Sequence, residues 1–245
     1  MNAIKEKNFL RTATLEELKI NKLTVISLFS GCGGMDLGFC QGGFEIRAMI
    51  EWDKSACDTL RANWHYKPNK PRHNWHQKRE PVILESDITK LSTEEILKAA
   101  DLKVGECGVV IGGFPCQGFS LVGSRKVDDP RNTLYKECVR VVKETLPQMF
   151  VFENVPGLVS ISKGKILMKI CENFAFIGYQ VSWDILNAAD YGVPQNRKRI
   201  FFIGKRCDAM GFDLKTGRTG LYLGAIKGEI KHPDWFKARY KHLFK

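Results

Sequence analysis

The chain has 245 residues, a formal net charge of +11, and a composition of 44% hydrophobic and 27% charged residues. That mix supports a buried core and excludes wholesale disorder, and the length suits one large domain or two small ones. No run of about 18 apolar residues occurs, which excludes a membrane-spanning helix. The eight cysteines contain no CxxC pair, so neither a small disulfide framework nor a structural zinc site is supported, and no metal is expected. The positive balance favours a polyanionic partner, most simply nucleic acid. Reduced thiols, and an N-terminal segment without an apolar signal core, point to the cytoplasm.

Residues 1–23 read as a polar lead-in with a helix around 15–20. Short apolar runs then alternate with helical stretches. Strands are predicted at 25–29, 46–51, 82–86, 108–111, 149–153, 181–186 and 199–203. Helices are predicted near 35–41, 54–63, 93–100, 133–145 and 164–175. Several strands are almost continuously apolar, as strands buried on both faces are. Strand–helix alternation predicts an α/β fold, a mainly parallel sheet with helices on both faces. Ligands bind beyond the carboxyl ends of such strands. One insertion, residues 65–80, is rich in Pro, Lys, Arg, His and Trp; it reads first as a solvated loop and second as a basic arm for phosphates. The tail from Lys205 to Lys245 holds ten Lys or Arg against four Asp or Glu.

Four segments carry chemistry. The first, Ser27-Leu28-Phe29-Ser30-Gly31-Cys32-Gly33-Gly34-Met35-Asp36-Leu37-Gly38, follows a strand and opens a helix. Its glycines let the backbone turn sharply and approach a cofactor. Glu51 ends the next strand, where an acid binds ribose hydroxyls in nucleotide folds. Asp87 ends the third and can accept from an adenine amino group. The loop fits a nicotinamide or flavin enzyme nearly as well. It departs from strict GxGxxG, however, which argues mildly for a nucleoside cofactor without a pyrophosphate. The second segment, Gly112-Gly113-Phe114-Pro115-Cys116-Gln117-Gly118, puts a cysteine in a polar turn directly after a strand. The other seven cysteines read as inert core thiols. Nearby arginines or a helix start would populate the Cys116 thiolate. The third, Phe150-Val151-Phe152-Glu153-Asn154-Val155, ends a buried strand in a carboxylate, which is costly without a task. The fourth, Gln195-Asn196-Arg197-Lys198-Arg199, leads into a strand, and extended backbone would turn Arg197 and Arg199 to one face.

Together these segments resemble the blocks of the DNA (cytosine-5) methyltransferase family: the FxGxGG loop, the PCQ loop, the ENV carboxylate and the QxRxR pair, in the family's order. The resemblance covers residues 24–205 and is highly specific. It implies a Rossmann-like methyltransferase fold with S-adenosyl-L-methionine as cofactor. Phe29, Ser30, Gly31, Gly33, Gly34, Glu51, Trp52, Asp87, Ile88 and Pro115 would line the cofactor pocket. Cys116 would add to carbon-6 of the target cytosine. Glu153, provided it carries a proton, would protonate ring nitrogen-3, Arg199 would hold the carbonyl at carbon-2, and Arg197 would position the base. Gln117, Ser120 and Arg125 would touch double-stranded DNA, whose target base must flip out of the duplex.

Family members usually continue for about a hundred residues more, through a target recognition domain and two further blocks that the sequence lacks. Residues 24–205 therefore read as the catalytic domain and 206–245 as a basic extension. A split enzyme completed by a second polypeptide is the expectation, ahead of a shortened chain or a degenerate remnant. Alternatives are a tRNA cytosine-5 methyltransferase, a dinucleotide oxidoreductase built on the glycine loop, and a non-catalytic DNA-binding or regulatory subunit. The oxidoreductase gives no reason for Cys116, Glu153 and the arginines together.

Overall fold

The computed structural model describes residues 23–65, 77, 79–115 and 134–207. Its strands are β1 (Thr24–Leu28), β2 (Glu45–Glu51), β3 (Val82–Glu85), β4 (Val109–Gly112), β5 (Met149–Asn154), β6 (Tyr179–Asn187) and β7 (Lys198–Arg206). They form one seven-stranded sheet in the order β3-β2-β1-β4-β5-β7-β6. Among the described residues, five helices connect them: α1 (Gly34–Gln41), α2 (Lys54–His65), α3 (Thr93–Ala100), α4 (Tyr135–Thr145) and α5 (Lys165–Phe176). The predicted strands and these helices all form, with ends displaced by at most three residues. The lead-in helix near residues 15–20 and the basic tail lie outside the described residues. Four short 3-10 turns, Ile88–Lys90, Pro156–Val159, Ile161–Gly164 and Ala188–Tyr191, were not anticipated.

All five residues of β1 are buried, as a central strand covered on both faces requires. Ile26 and Leu28 face one layer with α3, α4 and α5, joined by Phe150, Phe152, Ile200 and Phe202. Val25 faces the other layer, with Cys40 of α1 and Leu60 of α2. The chain steps outward from β1 to β3, then returns to β4. The step between β1 and β4 is the reversal point at which α/β sheets open a crevice beyond their strand ends.

The sheet is parallel except for β7, which runs antiparallel to both β5 and β6. A parallel crossover needs a dozen or more residues, and residues 188–197 are too few, so β6 and β7 form a hairpin. The two faces are unequally covered. On the α1 side, Val151 of β5 pairs with Ile203 of β7, and Ile203 is 41% exposed. Among the described residues, no helix is long and apolar enough to cross a membrane.

Where the basic insertion rejoins the sheet, it is clamped to the start of β2. The Gln77 side-chain amide donates to Ile46 O at 2.8 Å and accepts from Ile46 N at 2.7 Å. Beside it, buried Arg47 donates to Ala100 O at 2.8 Å and pairs with Glu45 and Asp101 at 3.1 and 3.0 Å. This clamp sits across the sheet from the carboxyl strand ends.

Gly204 on β7 lies against the Phe150 ring, where an added methyl group would overlap ring carbons. Phe150 cannot retreat, being fully buried against Phe152, Phe174 and Tyr179. Gly204→Ala is therefore expected to cost about 1–3 kcal/mol. A lowered urea midpoint at unchanged m value checks this; a midpoint equal to the parent's would contradict the packing.

Candidate active site

The turn after β1 is wound left-handed. Phe29, Gly31 and Gly33 have φ of 55°, 54° and 84°. Glycine takes that conformation freely, but a phenylalanine there costs on the order of 1–3 kcal/mol and must be held. Ser30 N donates to Ile50 O at 3.1 Å, and Gly33 N to Ser30 O at 3.0 Å. Glu51 does the rest. One carboxylate oxygen accepts from Gly31 N at 2.7 Å, and the other accepts from Trp52 N and Asp53 N, both at 2.9 Å. Expected to meet ribose hydroxyls, Glu51 thus first ties the turn after β1 to the end of β2. Gly34 starts α1 directly behind Gly33. Trp52 stands out from this end at 75% exposure.

Asp87 follows β3. Its Oδ1 accepts from Thr89 N at 3.0 Å and Thr89 Oγ1 at 2.9 Å, which holds its carboxyl below the usual range. Its Oδ2 has no partner among the described residues. Ile88 turns inward and joins the core rather than standing out beside Asp87.

On the other side of β1, three of the four segments converge. Buried Asn154 donates from Nδ2 to Phe114 O at 3.1 Å and accepts from Val155 N at 2.7 Å. This bond fixes the Phe114–Pro115 stem beside β5. Phe114 itself is buried against the rings of Tyr135, Phe152 and Phe202. Glu153, at the end of β5, pairs through Oε1 with Arg199 Nε at 2.8 Å across to β7. Both side chains are about three-quarters buried, at 22% and 25% exposure. A Cβ on Gly113 would lie 3.2 Å from Glu153 Oε2, a tight contact that would press on the carboxylate. Arg199 also donates to Lys198 O at 2.8 Å. Arg197 lies just before β7, is exposed, and does not join Arg199 at Glu153. Cys116, Gln117, Ser120 and Arg125 lie outside the described residues.

The remaining thiols mostly fit their reading as core groups. Cys40, Cys57, Cys107, Cys138 and Cys207 are buried, and Cys171 is partly so. Burial pushes the thiols of Cys107 and Cys171 up to about 12. Cys32 departs from that reading: it is exposed on the glycine turn, where no core can form. No three His, Cys, Asp or Glu gather to hold a metal among the described residues.

Asp36 stands in the glycine segment, at the third position of the broken GxGxxG spacing, but the sequence assigned it no role. It lies in the first turn of α1, 0% exposed, with neither carboxylate oxygen hydrogen-bonded among the described residues. Burial raises its carboxyl from 3.8 to about 6, an effect the neighbouring Ser27 hydroxyl partly offsets. The sequence did carry a signal: Asp36 and Cys40 are four apart in α1, so they share its inner face.

These residues suit a nucleoside cofactor. A glycine turn leaves room for close approach, acids end β2 and β3, and a carboxylate–guanidinium pair sits one strand beyond the reversal point. With this strand order, they define the Rossmann-like fold of S-adenosylmethionine-dependent methyltransferases. The chain belongs to the C-5 cytosine-specific DNA methylase family, whose sequence profile matches residues 23–221.

Individual relatives agree. The chain is 46% identical over 191 residues to the type II methyltransferase M.AquIA of Picosynechococcus sp., covering 74% of this chain and 71% of that protein. It is 46% identical over 187 residues to M1.HphI of Haemophilus parahaemolyticus, covering 75% of this chain but only 46% of the relative. Among solved structures, a candidate DNA modification methyltransferase encoded within an E. coli prophage superposes with a TM-score of 0.60 at 33% identity. That match covers 78% of this chain and 49% of the other. DNMT2 of Spodoptera frugiperda, at 19% identity and a TM-score of 0.54, shares the fold; 75% of this chain and 50% of that one are covered.

Asp36 gives a pH prediction. Its carboxyl is raised on folding, so the folded state holds the proton more tightly than the unfolded state. Stability is unpenalised below about 3.8 and falls as pH rises through about 6. Asp36→Asn removes the penalty and should gain on the order of 3 kcal/mol at pH 8, and little at pH 3.5. Chemical denaturation at both pH values checks this; an equal gain at the two would mean the charge is not the cause.

Proposed function

We propose that the chain is the catalytic part of a type II DNA methyltransferase that methylates carbon-5 of a flipped cytosine through a covalent Cys116 adduct. The observation that carries this reading is the Glu153–Arg199 pair, closed at 2.8 Å beside the stem that leads into Cys116. An oxidoreductase has no use for that arrangement. The 46% identity to type II methyltransferases supports DNA rather than tRNA as substrate.

The thiolate of Cys116 adds to carbon-6 of the cytosine, and the ring takes up the electron pair. Glu153 gives a proton to ring nitrogen-3 as charge develops there. Arg199, already aimed by its bond to Glu153, holds the carbonyl at carbon-2; Arg197 steadies the base from its exposed position. S-adenosyl-L-methionine supplies an electrophilic methyl group, which carbon-5 takes. Carbon-5 then gives up its proton to water, Glu153 recovers the proton from nitrogen-3, and the Cys116 sulfur leaves as thiolate. Phe29, Ser30, Gly31, Gly33, Gly34, Glu51, Trp52, Asp87, Ile88 and Pro115 hold the cofactor. Gln117, Ser120 and Arg125 follow the nucleophile and meet DNA, with unstacking of the base costing a few kcal/mol.

We infer further that residues 24–205 form the catalytic domain and 206–245 a basic extension, and that a second polypeptide carries target recognition in a cytoplasmic assembly. Two observations support this. On the α1-side face of β7, Ile203 is left open, at 41% exposure. M.AquIA is also much the shorter relative: 191 aligned residues are 71% of it, while 187 are 46% of M1.HphI.

Cys116→Ser is expected to abolish methyl transfer and to lose the covalent trap with a 5-fluorocytosine duplex, while S-adenosylhomocysteine still binds. Methylation near the parental rate would remove Cys116 from the nucleophile's role. Co-expression with the neighbouring gene product should raise DNA affinity at least about tenfold in gel shifts, the step expected when base readout joins phosphate contacts. An unchanged affinity would count against the second polypeptide.

A further inference from the structure

We propose that Asp36 is a positioning residue for the cofactor, its charge facing the α-ammonium group of S-adenosyl-L-methionine across the Ser27–Ser30 hydroxyl pair. The proposal rests on the methyltransferase reading and adds a residue and a ligand group to it.

A buried carboxylate with neither oxygen bonded opposes folding unless a cation or donor compensates it. Among the described residues none does. Asp36 sits between α1 and β1, on the α1-side face where Val25 and Ile111 make the surroundings apolar. The exception is Ser27, whose hydroxyl stands near the Asp36 carboxyl without bonding to it and accepts from Ser30 Oγ at 2.9 Å. Ser30 belongs to the glycine turn. Acid, hydroxyl and hydroxyl thus run from the floor of the sheet to the turn.

Strand order says which part of the ligand lies there. Glu51 and Asp87 end β2 and β3, on one side of β1, and their chemistry suits hydroxyls and an amino group. Glu153 and the stem to Cys116 stand on the other side, at β5 and β4. A methyl donor reaching from the first group to the second spans β1, leaving its amino-acid end above the glycine turn. Glu51, with three backbone N–H groups already on its carboxylate, has one acceptor site left, which the ribose hydroxyls take. Asp36 is the remaining acid beneath that point.

The test is calorimetric binding of two ligands to the full chain, together with any polypeptide that co-purifies with it. S-adenosylhomocysteine carries the α-ammonium; 5′-methylthioadenosine keeps the nucleoside and lacks it. Asp36→Asn is expected to weaken S-adenosylhomocysteine by about tenfold or more, the usual weight of a charged hydrogen bond, while methylthioadenosine binds as before. Ser27→Ala should show the same selectivity. A melting temperature at or above the parent's establishes that Asp36→Asn folds. Equal losses on both ligands would make Asp36 a prop of the turn and overturn the proposal. So would an unchanged S-adenosylhomocysteine affinity, which would place its donor in another protein segment. A parent that binds neither ligand would bring down the methyltransferase reading itself.

Discussion

One carboxylate decides the shape of the carboxyl edge. Glu51 collects N–H groups from Gly31, Trp52 and Asp53, and so ties the end of β2 to the turn leaving β1. Without that tie, Phe29 would have no reason to stay at φ 55°. With it, α1 starts at a fixed height over the sheet, Asp36 is pressed against Ser27, and the crevice beside β1 keeps a floor. The cofactor-side geometry follows from this one buried acceptor and the three backbone N–H groups that it gathers.

The catalytic side is held by a different device. Asn154 binds the Phe114 carbonyl, and Glu153 binds Arg199, so three separate stretches of chain are cross-linked within a few ångströms. Neither bond is local: Asn154 and Phe114 are 40 residues apart. Their positions are set by register, because β4 and β5 are in parallel register from Val109 and Met149 onward. Packing of Phe152, Phe174 and Phe202 fixes that register from below, which links the core directly to the site.

Much of this was legible from residue order. Continuous apolar runs marked the strands because a doubly covered sheet demands them. The glycines after β1 and the acids ending β2 and β5 fell where a strand end should place them. Other features depended on tertiary placement. The reversed direction of β7 follows from a short connection, which periodicity does not report. The pairing of Arg199 without Arg197 depends on where β7 begins. Alternation assumed an extended segment that starts at Lys198 instead. Asp36 stands in the first turn of a helix, a favourable place for an acid, and only its depth beneath the turn makes it unusual. Asn154 passed as part of a motif because its partner is a backbone carbonyl, which no side-chain pattern reveals.

The reversed β7 has a practical consequence for engineering. Its hairpin with β6 bends at the same rim that carries Glu153, and residues 189–198 there are all exposed. Strand pairing is complete on either side of that bend, from Asn187 opposite Lys198 down to Tyr179 opposite Arg206. Segments from relatives can therefore be grafted between those two anchor points without re-registering the sheet, which makes this bend a natural exchange cassette at the rim.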